Sequence, residues 1–390
     1  MTHRDLINVV KPPKKISSTQ YAASGKFPII DQSQKYISGW TDDRNAVINN
    51  GLPLIIFGDH TCVLKFTYAP FAQGADGIKI FRASLGLSTS YLYQYLLFKP
   101  VKMEEYKRHF SIFKRKLIAF PGKKSEEQQK IADCLSSIDD LITAQTQKLG
   151  TLKTHKKGLM QQLFPAEGET LPKLRFPEFQ DDWVIKKLGE LGKLIGGGTP
   201  DKSVAEYWQG EIPWVSSSDI YEDDINTISV TRFINEKSIS ESATKKVPKG
   251  SVLFVSRVGT GKLAINDNDV CTSQDFMNFL LKTIYNYFLG YSFMAKKSAL
   301  ISLGQGTSIK GFSKGDLEKF EVSFPSPIEQ QKIADCLSFI DDLIAAQTQK
   351  LDTLKTHKKA LMQQLFPAVD HNHPTPPEEG NKDLLLPEKN

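Results

Sequence analysis

Glu127 to Pro165 reads EQQKIADCLSSIDDLITAQTQKLGTLKTHKKGLMQQLFP, and Glu329 to Pro367 reads EQQKIADCLSFIDDLIAAQTQKLDTLKTHKKALMQQLFP. The offset is 202 throughout. Of 39 positions only four differ: Ser137/Phe339, Thr143/Ala345, Gly150/Asp352 and Gly158/Ala360. One element is written twice, and such a repeat organises the whole chain. Apolar residues recur in alternating steps of four and three: Ile131, Leu135, Ile138, Ile142, Leu149, Leu152, Leu159 and Leu163, with Gln145 and Lys156 at the polar positions. The second copy has Ile333, Leu337, Ile340, Ile344, Gln347, Leu351, Leu354, Leu361 and Leu365. A sustained 3.5-residue period predicts a long helix with a coiled-coil seam. Ser125-x-x-Gln128 predicts a capping box, Pro327 sits at the favoured first helical position, and Phe-Pro ends both copies.

Charge predicts the direction of pairing. The first half of each copy is acidic (Glu126, Glu127, Asp133, Asp139, Asp140) and the second half basic (Lys148, Lys153, Lys156, Lys157). Antiparallel packing sets acid beside base, whereas parallel packing stacks like on like. An exposed pair is worth only about 0.2–1 kcal/mol, so charge biases direction and the apolar seam drives association. Gln145 and Gln347 fall near the centre, where buried polar residues can fix register. At about 1.5 Å per residue the seam predicts a spacer of roughly 50 Å.

Each copy follows a stretch of short apolar runs and turn signals, residues 1–124 and 183–325, with examples at Pro53–Phe57, Ser251–Val255 and Gly196–Pro200. The expected class is α+β: two mixed α/β domains and two long helices forming an antiparallel coiled coil, as a pseudo-two-fold repeat. The segments are 1–124, helix 125–165, linker 166–182, 183–325, helix 326–367 and a tail 368–390, whose Pro- and Glu-rich composition predicts disorder. The two domains share a weaker frame. Gly25–Ile30 runs against Gly210–Val215, Ile56–Thr61 against Leu253–Val258, and Ala72–Asp76 against Cys271–Asp275. The frame is kept while the side chains differ, as expected of one scaffold carrying different loops.

Composition limits the function. The 390 residues carry 40% hydrophobic and 24% charged residues and a formal charge of +6, which suits a globular protein of two or three domains and permits nucleic-acid binding. No run approaches a membrane span, and the first fifteen residues hold no secretory apolar core. Cys62, Cys134, Cys271 and Cys336 form no CxxC pair and are expected as reduced thiols of a cytoplasmic protein, Cys134 and Cys336 packing beside the seam. Gly259-Thr-Gly-Lys262 lacks the glycine at 256 and the Ser/Thr at 263 of a phosphate loop. Pro200-Asp201 lacks the lysine of a metal-nuclease signature, no methyltransferase Asn-Pro-Pro-aromatic motif occurs, and His371 and His373 lie in the tail. No catalytic residue and no metal site is expected.

Polar groups beside turns are the candidates for base edges and phosphates: Gln32, Ser33, Gln34, Lys35, His60, Thr61 and Lys65, then Ser216, Ser217, Ser218, Arg257, Lys262, Ser273, Gln274, Gln305, Thr307 and Lys310. The chain resembles the specificity subunit of type I restriction-modification enzymes. The resemblance rests on the alternation of variable domain and helix, and on five stretches. These are Trp183–Leu191, Gly198-Thr-Pro200, Tyr207–Trp214, Gly304-Gln-Gly-Thr307 and Pro325–Ala334. It implies two target recognition domains, each reading half of a bipartite double-stranded DNA site, and helices that set the gap and dock two methyltransferase subunits. Restriction subunits then join. It implies no cofactor in this chain, with S-adenosylmethionine, ATP and magnesium belonging to the partners. The alternatives are a stand-alone endonuclease or methyltransferase, and a coiled-coil adaptor without a DNA role. At an offset of 185, the Trp183 opening would precede Met1, so the first domain is expected to lack its first short strand.

Overall fold

A computed structural model describes residues 5–75, 77–103, 108–115, 117–122, 125–302 and 311–366. The chain divides into two compact units, residues 1–145 with 350–390 and residues 146–349. The duplicated helices are therefore not a domain of their own. Each unit takes the first part of one copy and the last part of the other.

In the first unit the strands are β1 (Ile7–Val10), β2 (Phe27–Ile30), β3 (Gly39–Thr41), β4 (Val47–Ile48), β5 (Leu54–Gly58), β6 (Leu64–Thr67), β7 (Phe71–Gln73) and β8 (Ile78–Ala83). Helices α1 (Thr89–Phe98), α2 (Phe110–Arg115) and the long α3 (Glu126–Leu163) follow. The second unit continues with β9 (Val184–Lys187), α4 (Leu188–Leu191), β10 (Gly192–Gly196), β11 (Ile212–Val215), β12 (Phe233–Ile234), α5 (Glu236–Ser240) and β13 (Lys246–Val247). After these come β14 (Val252–Val255), β15 (Leu263–Ile265), β16 (Val270–Thr272), β17 (Phe276–Leu281), α6 (Asn286–Ala295), α7 (Lys297–Ser302), α8 (Lys314–Glu318), β18 (Glu321–Phe324) and α9 (Pro327–Leu365).

The two units share one topology. Sheet orders β1-β8-β5-β6 and β3-β2-β7-β4 recur as β10-β17-β14-β15 and β12-β11-β16-β13. In each unit one strand pair is parallel, β2 with β7 (Ile29 opposite Ala72) and β11 with β16 (Trp214 opposite Cys271). The frame legible in the sequence is thus a strand-by-strand correspondence. The β9–β18 pair of the second unit has no strand-pair counterpart among the described residues of the first.

Within each unit the helix segments pack antiparallel. In the first, Ile131, Ala132 and Leu135 of α3 share a core with Met362 and Phe366 at the end of α9 and with Tyr91, Leu92, Tyr95 and Leu96 of α1. In the second, Ile333, Ala334 and Leu337 of α9 share a core with Met160, Leu163 and Phe164 at the end of α3, and with Phe288 and Leu289 of α6. The eighteen apolar and glutamine positions predicted for the seam are all buried or half-buried, Gln347 buried and Gln145 half-buried among them, and Lys156 is buried too. The buried face is wider than the seam. Ala132/Ala334, Met160/Met362 and Phe164/Phe366 belong to it because the start of each helix packs on the domain before it and the end of the other helix packs on that same domain.

Polar contacts repeat with the same offset. Lys156 pairs with Asp341 at 2.5 Å, and its counterpart Lys358 pairs with Asp139 at 2.6 Å. This is the acid-beside-base arrangement of antiparallel packing. The domains hold the same aspartates: the Tyr291 hydroxyl donates to Asp341 (2.7 Å) and the Gln94 amide to Asp139 (2.9 Å). Gln128 is buried, but not as half of a reciprocal capping box. Its oxygen accepts from the Ser88 N–H at the head of α1 (2.7 Å), and Gln330 does the same for Tyr285 at the head of α6 (3.0 Å). Each repeated glutamine thus satisfies an orphan donor at the head of α1 or α6, which helix ends require. Cys336 is half-buried, whereas Cys134, expected to pack beside the seam, is exposed.

Candidate nucleic-acid interface

The predicted reader residues converge on one edge of each unit, where the parallel pair ends. In the first unit the loop after β2 (residues 31–38), the turn after β7 and the β5–β6 hairpin tip meet there. Gly74 N–H donates to Ile30 O (2.9 Å), Asp59 N–H to Gly77 O (2.7 Å), and the Thr61 hydroxyl to Gln32 O (2.8 Å). Gly77 has φ +96°, and a Cβ there would meet the Gln32 amide at 2.6 Å, so glycine lets the two loops touch. In the second unit the loop after β11, the turn after β16 and the β14–β15 tip meet likewise. Ser273 N–H donates to Val215 O (2.9 Å) and Ser256 N–H to Asp275 O (2.8 Å). A Cβ on Gly197 would lie 2.1 Å from Ser273 O, and one on Gly198 2.5 Å from the Ala243 backbone, so both positions before Thr199 need glycine. The Thr199 hydroxyl donates to the Gln274 side chain.

The candidates fall into different environments. Gln34, Lys35, Ser218, Arg257 and Gln274 are exposed. Gln32, Ser33, His60, Thr61, Ser216, Ser217 and Lys262 are half-buried, and Lys65 and Ser273 are buried. Gln305, Thr307 and Lys310 lie outside the described residues, as do His371, His373 and the tail. Lys65 corrects the expectation. Its side chain is 4% exposed and its amine is turned inward, donating to Asp31 O (2.8 Å) and Lys35 O beside the Asp31 carboxylate (4.0 Å). Lys262 donates to Ser217 O (3.5 Å) and Ile220 O (3.2 Å) from a turn where Gly259 and Gly261 have positive φ, and no helix follows as a phosphate loop needs.

Three residues that shape this edge escaped the sequence reading: Asp31, Asp219 and Arg232. Asp31 accepts from Ser33 N–H (2.9 Å), the Ser38 hydroxyl and the Tyr21 hydroxyl (3.3 Å), while Tyr21 accepts from Ala75 N–H (2.9 Å). Burial pushes the Asp31 carboxyl up, but the hydrogen bonds from Ser38 and Ser33 and the nearby Lys65 ammonium outweigh it and hold it below the usual range. Burial lowers the Lys65 ammonium, with Asp31 opposing. In the second unit Asp219 accepts from Ser216 N–H (2.7 Å) and from Arg232 (3.1 Å), whose guanidinium lies 4.6 Å over the Trp214 ring. Arg232 stands far from Ser216 in sequence, so no local pattern marks it. Among the described residues no cluster of metal-ligating side chains occurs.

Two copies of one mixed domain, each presenting three converging loops with different side chains and mounted on near-identical helices, define a two-site recognition scaffold. A family model described as the type I restriction modification DNA specificity domain matches residues 1–154 and 180–356. The chain belongs to that family. It is 35% identical over 178 residues to the MjaIX specificity subunit of Methanocaldococcus jannaschii, covering 45% of this chain and 41% of the relative, under half of that relative's length. It is 26% identical over 360 residues to the specificity subunit of an Escherichia coli type I restriction enzyme, covering 86% of this chain and 84% of the relative. The crystal structure of a type I S subunit from M. genitalium superposes with a TM-score of 0.68 at 16% identity, over 95% of this chain and 96% of that one, a likeness of fold.

Proposed function

We propose that this chain is the DNA specificity subunit of a type I restriction-modification complex. Each unit reads one half of a bipartite double-stranded target through its converging loops, and the duplicated helices fix the gap and dock two methyltransferase subunits, which restriction and translocase subunits then join. The observation that carries the reading is the contrast between copies: 35 of 39 helix positions are kept, while the loops at the same edge of the same topology differ. What is kept twice suits a shared partner, and what differs suits two half-sites. Half-sites about one 34 Å turn apart present their grooves on one face of the duplex, which a rigid spacer can exploit. The chain carries no catalytic group of its own in this reading. S-adenosylmethionine, ATP and magnesium belong to the partners, and the complex acts in the cytoplasm. No described helix is long and apolar enough to cross a membrane.

Footprinting the chain with its methyltransferase partner should give two protected patches and an unprotected gap. A single patch, or cleavage or methylation by the chain alone, would refute the proposal.

A further inference from the structure

We propose that Lys65 and Lys262 are positioning residues for sequence readout, amines that fix the backbone of the loop presenting the reader side chains and do not touch DNA. The inference rests on the DNA-reading proposal and deepens it. A lysine that neutralises phosphate needs its ammonium turned outward. Lys65 is buried on β6, opposite Ile56 of β5, and its amine reaches the carbonyls of Asp31 and Lys35. One ammonium therefore clamps both ends of a five-residue turn whose outward side chains include Gln34 and Lys35. The Asp31 carboxylate grips the far side of the same loop through Ser33 and Ser38.

The second unit performs the same task from another backbone position. Lys262 precedes β15, beyond the last β14–β15 pair (Phe254 opposite Leu263), and reaches the carbonyls of Ser217 and Ile220. Arg232 and Asp219 hold the other side of that loop. The two lysines occupy different registers of equivalent hairpins. A cation pinning the reader loop is thus met by different residues in the two domains, which points to the task and not to a shared inherited position. A clamped loop offers its base-edge groups without an ordering cost at binding.

The test uses the full chain assembled with its methyltransferase subunits, on the target found by genome methylation mapping. If the wild-type complex shows no preference for defined half-sites, the DNA-reading proposal itself fails, whatever the lysines do. Given that preference, Lys65→Met is expected to cut discrimination against single-base changes in one half-site by about tenfold. The other half-site and the salt dependence stay unchanged, and Lys262→Met does the converse. Lost fold stability alone lowers the active fraction without changing base preference. Unaltered discrimination at both half-sites would overturn the inference, as would a salt slope shallower by about 0.9, the mark of a lost phosphate contact. Should Lys65→Met fail to fold by circular dichroism, Lys262→Met decides.

Discussion

Asp341→Ala should destabilise the second unit far more than its pseudo-symmetric counterpart Asp139→Ala destabilises the first. Lys156 and Asp341 have side chains 7% and 15% exposed, and the Lys156 amine also lies 5.3 Å from the Tyr291 ring centroid. Removing Asp341 strands that ammonium away from water and takes an acceptor from the Tyr291 hydroxyl. Breaking a buried pair from one side costs about 3–5 kcal/mol. Lys358 and Asp139 are 11% and 38% exposed, so water can solvate what is left and the cost falls toward about 1 kcal/mol. Urea unfolding of both variants, with Lys156→Met/Asp341→Ala as the double variant, measures the difference. At roughly 2–4 °C per kcal/mol, Asp341→Ala lowers the unfolding temperature of its unit by about 6–20 °C. The double variant should recover most of the loss, because the stranded charge is gone. Equal costs for Asp341→Ala and Asp139→Ala, or a double variant worse than the single, would refute the burial argument.

Other expectations follow from the same contacts. Gln128→Ala leaves the Ser88 N–H and the carbonyls of Gly86, Pro121 and Gly122 without their partner and should cost about 2–3 kcal/mol, while Gln129→Ala on the exposed face should be near neutral by the same denaturation assay. Phe366→Ala removes a ring packed 5.3–5.5 Å from Tyr91, Tyr95 and Phe98, and should cost about 3–5 kcal/mol in the unfolding free energy of the first unit. Asp31 is held below its ordinary pKa in the folded loop, so its stabilisation is present above the unfolded aspartate value of about 3.9 and is lost as pH falls through the lower folded value. The amide-exchange protection factors of residues 31–38, taken relative to the intrinsic rate at each pH, should therefore fall in acid, and Asp31→Asn should remove that pH dependence; an unchanged protection profile in the variant would discard Asp31 as the cause.

The sequence by itself determined a great deal here, because repetition and periodicity are local and survive without coordinates. The 202-residue offset and the 3.5-residue step located α3 and α9 and their inward positions, and acid-then-base polarity gave the direction now seen in Lys156–Asp341 and Lys358–Asp139. The weak frame between the two domains located β2, β5 and β7 and their counterparts. Only the tertiary structure decided which polar side chain faces outward. Lys35 and Lys65 are alike in a string of letters, yet one is exposed and the other is buried on two carbonyls of the loop. Asp31, Asp219 and Arg232 matter through partners far along the chain, and Gln128 matters through the head of α1 and not through its own helix start. Burial and long-range hydrogen bonding depend on which strands become neighbours, and no short window of sequence contains that information.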